Sequence, residues 1–128
     1  MEREKEVKAI EVKLIAISGG KTKLGGILNG TCGISCHGIS AVLEGNFVEY
    51  QDGSQATVLR DESTTLAQHD EHGNSLTVAA TGTMLSNGDM ITDAGQQNLG
   101  TVIFSNHTSG VYEFDESDIA KMKAEGLL

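Results

Sequence analysis

The chain has 128 residues, of which 16 are glycine, none is proline or tryptophan and 4% are aromatic, and it carries a formal net charge of −9. That length suits one domain with a modest core, and the glycines favour closely spaced turns over long helices. The acidic balance opposes contact with an extended phosphate backbone, so no nucleic-acid partner is expected.

Residues 1–17 read as a charged N-terminal extension or strand. The basic residues Arg3, Lys5, Lys8, Lys13, Lys21 and Lys23 are interleaved with Glu2, Glu4, Glu6 and Glu11, which describes a solvated mixed-charge segment rather than a phosphate patch. Alternation from Val7 to Ile17 predicts a strand that ends at Ser18-Gly19-Gly20; exposed Glu and Lys make helix the competitor over the first ten residues. No run approaches the about 20 apolar residues of a membrane helix, and the start lacks the apolar core of a secretion signal, so cytoplasmic synthesis is expected. Gly19-Gly20-Lys21-Thr22 lacks the spacing of a phosphate loop and reads as a turn.

From Ser18 to Phe104 the chain is a succession of short apolar runs bounded by glycine. Ile27-Leu28 precedes Asn29-Gly30, Ile39 to Leu43 precedes Glu44-Gly45, and Phe47 to Tyr50 precedes Asp52-Gly53. Ala56 to Leu59, Leu76 to Ala80 and Thr83 to Leu85 follow, the last before Asn87-Gly88. Asx-Gly pairs accept the positive φ of hairpin turns, so the expectation is a mainly β unit of four- or five-residue strands, with a small β-sandwich or barrel as the alternative. One weak repeat stands out: His37-Gly38 through Leu43 corresponds to His72-Gly73 through Val78, in two copies. Gly100 to Phe104 reads as a strand and His107 to Gly110 as a turn. Within a C-terminal extension of residues 105–128, acidic residues precede an alanine- and lysine-bearing stretch, which predicts a helix from about Ser117 to Glu125.

Cys36, His37, His69 and His72 are the candidate metal ligands, since thiolate and imidazole suit tetrahedral zinc. Cys32 is a spare donor, and His107 sits alone in a polar turn. The alternative is surface histidines beside two inert cysteines, because Gln68, Asp70 and Glu71 make the loop around His69 look solvated. Cys36 and His37 are neighbours that a strand would point to opposite faces, so no nucleophile and base pair forms there and no enzyme is expected. A small metal-dependent or cysteine enzyme, drawing on Asp61, Glu62, Asp70, Glu71, Asp89 or Asp93, is the minor alternative.

The order of turn, His-Gly step, apolar strand, glycine and Asx-Gly resembles the PAAR-repeat family of spike-tip proteins from contractile injection systems, whether type VI secretion or phage tail. The resemblance rests on Ser18 through Gly26, Cys36-His37-Gly38 through Glu44-Gly45, Asp52-Gly53 through Arg60-Asp61, His72 through Ser75 and Asn87-Gly88-Asp89 through Thr92, and spans Ser18 to Phe104. It implies a small cone of short β-hairpins that caps a trimeric β-helical spike, contacts a target membrane transiently and sometimes links to an effector. It also implies a zinc ion held at the pointed end by histidines and a cysteine, and a protein assembled on an injection apparatus and delivered to or through the target envelope. The family's first Thr-His-Gly-Gly step reads Lys23-Leu24-Gly25-Gly26 here, so Leu24 stands where that pattern has a histidine. An oligomeric phage or secretion structural module with no piercing role is the other reading.

Overall fold

A computed structural model describes residues 7–64 and 66–128; the charged residues Glu2, Arg3, Glu4, Lys5 and Glu6 lie outside them. Among the described residues the architecture is mainly β, in several small sheets, with one short C-terminal helix and no closed barrel. In chain order the strands are β1 (Ala9–Leu14), β2 (Lys21–Thr22), β3 (Ile27–Leu28), β4 (Ser35–Cys36), β5 (Ile39–Ser40) and β6 (Phe47–Glu49). They continue with β7 (Gln55–Thr57), β8 (Ala67–His69), β9 (Ser75–Thr77), β10 (Ile91–Asp93), β11 (Leu99–Phe104) and β12 (Ser109–Glu113), before helix α1 (Glu116–Ala124). Among the described residues no helix is long and apolar enough to cross a membrane.

Three short segments organise the domain: Ile15-Ala16-Ile17, Ala41-Val42-Leu43 and Val78-Ala79-Ala80. Their central residues close a triangle of backbone hydrogen bonds, in which Ala16 N donates to Ala79 O (3.0 Å), Ala79 N to Val42 O (2.8 Å) and Val42 N to Ala16 O (2.8 Å). The same bonds recur around each corner. Gly19, Gly45 and Gly82 donate to Leu28, Val58 and Ile91, each after the chain has turned through a glycine at φ 93°, 87° and 92°. A residue with a Cβ resists that φ, so the three corners are glycine for one reason.

Each corner leads into a hairpin: β2–β3, β6–β7, and the pair of arms around Asn87-Gly88 that is joined by the bridge Met84–Met90. These hairpins stand side by side, with β3 paired to β6, β10 to β2, and Val58 bridged to Leu85. Their inward residues Leu28, Val48, Ala56, Val58, Leu85 and Ile91 pack with Ala16, Val42 and Ala79 in one buried cluster.

Side chains alternate along an extended segment, so the flanking residues of the triangle face the other way. Ile15, Ala41, Leu43 and Val78 bury with Cys32, Ile34, Leu66, Leu76 and Leu99 in a second cluster on the opposite face. Here too a threefold pattern holds: Ile15 N, Ala41 N and Val78 N donate to Leu99 O, Ile34 O and Leu66 O at 3.0, 2.9 and 3.0 Å. Two of the three sectors are continuous hairpins, β4–β5 and β8–β9. The third is split between the chain's two ends, because β1 finds its antiparallel partner in β11. Thus β1 and Ile15–Ile17, within the N-terminal extension of the sequence reading, complete the threefold unit.

The repeat is therefore threefold, not the twofold correspondence read from the His-Gly steps. Beyond it, β12 extends the β1–β11 sheet and α1 packs Met122 against Val12, Leu14, Val102 and Phe114. The helix begins as expected: Asp115 caps it by accepting from Asp118 N, and the Asp118 side chain returns the bond to Asp115 N. Such reciprocal capping satisfies amides that have no partner inside the helix.

Candidate functional site

The four residues singled out as metal ligands occupy two separate hairpins. Cys36 ends β4 and His37 opens the two-residue turn to β5, where His37 and Gly38 take φ 53° and 78°. His69 ends β8, and His72 sits in the loop to β9. In that loop the Asp70 carboxylate accepts from both His72 N and Asn74 N at 2.9 Å. Both His-Gly steps thus do occupy corresponding hairpins of the threefold unit, as turns.

Their side chains are engaged separately. His37 Nε2 lies 3.2 Å from Asn98 Oδ1, and His72 Nε2 lies 3.6 Å from Glu71 Oε1 on an exposed loop. Cys36 is buried beside a cavity of about 330 Å³ lined by Ser35, His37, Asn98 and Glu113. Burial, and then the charge of Glu113, push its thiol pKa up, which disfavours the thiolate that metals and electrophiles require. Cys32 is also a buried thiol, 3.2 Å from Gln68 Oε1, and neither cysteine is in a disulfide. Among the described residues no three His, Cys, Asp or Glu side chains converge as a metal-binding group. The donors expected for zinc are held on two hairpins, each by its own neighbours.

A different cluster occupies the end of the molecule formed by β2–β3, β6–β7 and the Asn87-Gly88 hairpin. At its centre is Asp89, only 2% exposed. Its Oδ1 accepts from Leu24 N (3.0 Å) and Met90 N (2.8 Å), and its Oδ2 accepts from Tyr50 Oη (2.6 Å). The Thr22 hydroxyl accepts from Gly26 N at 2.8 Å and helps lower the pKa of the same carboxylate. Asn87 brackets the pair, with Nδ2 donating to Tyr50 Oη (3.0 Å) and Oδ1 accepting from Asp89 N (3.0 Å).

Burial pushes the Asp89 carboxyl pKa up, but the hydrogen bonds from Thr22, Tyr50, Met90 and Leu24 outweigh it and hold the group below the usual carboxylate range. Tyr50 is moved the other way, by burial first and by its bond to Asp89 second, and stays a neutral donor. Gly26 makes room for its neighbours: a Cβ there would collide first with Val48 Cγ1 and would lie 2.9 Å from Tyr50 Cε1 and from Thr22 Oγ1.

Sequence reasoning read Asn87-Gly88-Asp89 as a turn and as part of the family resemblance, and Asp89 otherwise as one of many carboxylates. The usable signal was Asp89 directly after a hairpin glycine, where its side chain turns inward. Comparison with family models, curated proteins and solved structures finds no match to this chain.

Proposed function

We propose that this protein is a non-enzymatic spike tip that caps the end of a trimeric β-helical spike. The observation that carries the reading is the triangle of backbone bonds joining Ala16, Val42 and Ala79, with corners and hairpins repeated around it. A single chain with three equivalent sectors presents matching contacts to three identical subunits, which an asymmetric monomer does not. The resemblance to the PAAR-repeat family points to the same role from the motifs.

In this reading the end bearing Leu24, Asp52 and Asn87 is the leading tip, because β12 and α1 attach to the β1–β11 sector, away from this end. The opposite face, built on β4–β5, β8–β9 and the split pair β1–β11, meets the spike. Its third sector is supplied by the chain termini, so capping needs both ends of the chain in place. The zinc expected from the resemblance is not required for capping. Mixing the protein with its trimeric spike and measuring mass by light scattering tests the proposal: one chain per trimer supports it, and three chains per trimer or no complex contradicts it.

A further inference from the structure

We propose that the hairpin end is fastened without metal, the Asp89 carboxylate serving as the three-way link between its hairpins. The inference rests on the spike-tip reading only in calling this end the tip; the link itself stands on the hydrogen bonds.

Three short hairpins standing side by side have too little apolar surface at their ends to hold one another, and each arm is two or three residues long. Something must tie the ends together. Zinc does so in small domains by drawing side chains from different strands to one point. Asp89 does the same with hydrogen bonds. It takes Leu24 N from the first hairpin, Tyr50 Oη from the second and Met90 N from its own, so one carboxylate touches all three. Leu24, where the family pattern has a histidine, contributes its backbone amide, while His37 and His72 lie in the hairpins of the opposite face. Hydrogen bonds to a charged acceptor are about twice as strong as neutral ones.

The test combines metal analysis with melting of the full chain. Zinc should be far below one per chain, and a chelator should leave the melting temperature unchanged. Asp89→Asn and Tyr50→Phe should each lower melting by roughly 5 °C or more, and the double variant should fall by clearly less than their sum, since the two groups form one bond. Zinc near one per chain with a chelator-sensitive melt overturns the proposal. So do single variants that melt like the parent, or additive losses. Should Asp89→Asn fail to fold, Tyr50→Phe decides alone, because it keeps the ring and removes only the donor. Loss of spike binding in the parent protein with these results intact retires the spike-tip reading and leaves the link standing.

Discussion

Substituting each corner glycine by alanine, one at a time, examines the threefold unit by itself. Gly19, Gly45 and Gly82 share φ near 90°, and a Cβ built on any of them meets nothing within 4 Å. No clash contributes, so the whole cost is backbone strain, about 1–2 kcal/mol for a residue with a Cβ at positive φ. The stiffer unfolded chain offsets about 0.4–1 kcal/mol of it, which leaves about 1 kcal/mol at each corner. For a chain of this size that lowers the melting temperature by roughly 3–5 °C. Urea unfolding and thermal melting of Gly19→Ala, Gly45→Ala and Gly82→Ala should therefore give three similar losses. Gly26→Ala should lose more, because its Cβ would press on Val48 first and then on Tyr50 and Thr22. One corner that tolerates alanine, or one that alone unfolds the protein, would refute the equivalence of the three sectors.

Acid should weaken the fold through two carboxylates. Burial opposes ionisation of Asp61, but hydrogen bonds from Ser63 and Thr83 and the charge of Lys13 hold its pKa low, as the bonds around Asp89 do there. A lowered folded pKa contributes stability that is complete above the unfolded value of about 3.9 and is lost as pH falls through the folded one. The melting difference between the parent and Asp89→Asn should accordingly be largest near neutrality and shrink in acid; a difference that grows in acid contradicts the sign. The orientation of the cap is tested by two exposed apolar residues on opposite ends, Ile39 (43% exposed) and Leu24 (66%). Ile39→Glu should weaken spike binding at least about tenfold, or about 1.4 kcal/mol, with melting unchanged, whereas Leu24→Glu should leave binding intact; the reverse ranking turns the cap over.

Much of the local structure was legible because glycine marks it. Asp52-Gly53, Asn87-Gly88 and His37-Gly38 are all positive-φ turns, and the acidic start of α1 supplied its cap. Asn29-Gly30 was misleading. Gly30 is not a hairpin turn; it lets the backbone pass against the carbonyls of Ser40 and Ala41, where a Cβ would collide. The same residue type served close approach instead of positive φ, and only the fold distinguishes the two.

The third repeat was hidden for a physical reason. The triangle is built from backbone bonds among Ile15-Ala16-Ile17, Ala41-Val42-Leu43 and Val78-Ala79-Ala80, which need only small or branched apolar residues and are unequally spaced along the chain. The sector of Ile15-Ala16-Ile17 borrows β11 from the far end, so no local pattern announces it. The His-Gly steps are visible in the sequence and occupy matching turns, yet their side chains contact different neighbours. Asp89, by contrast, owes its role to hairpins that carry Thr22, Leu24 and Tyr50 to it from distant parts of the chain.

Electron microscopy of the protein bound to its trimeric spike tests the central claim most directly. The account predicts one copy seated on the spike axis, with the turns at Leu24, Asp52 and Asn87 pointing away and the β4–β5, β8–β9 and β1–β11 sectors against the three subunits. Density on the side of the spike, or a copy seated on each subunit, would contradict it.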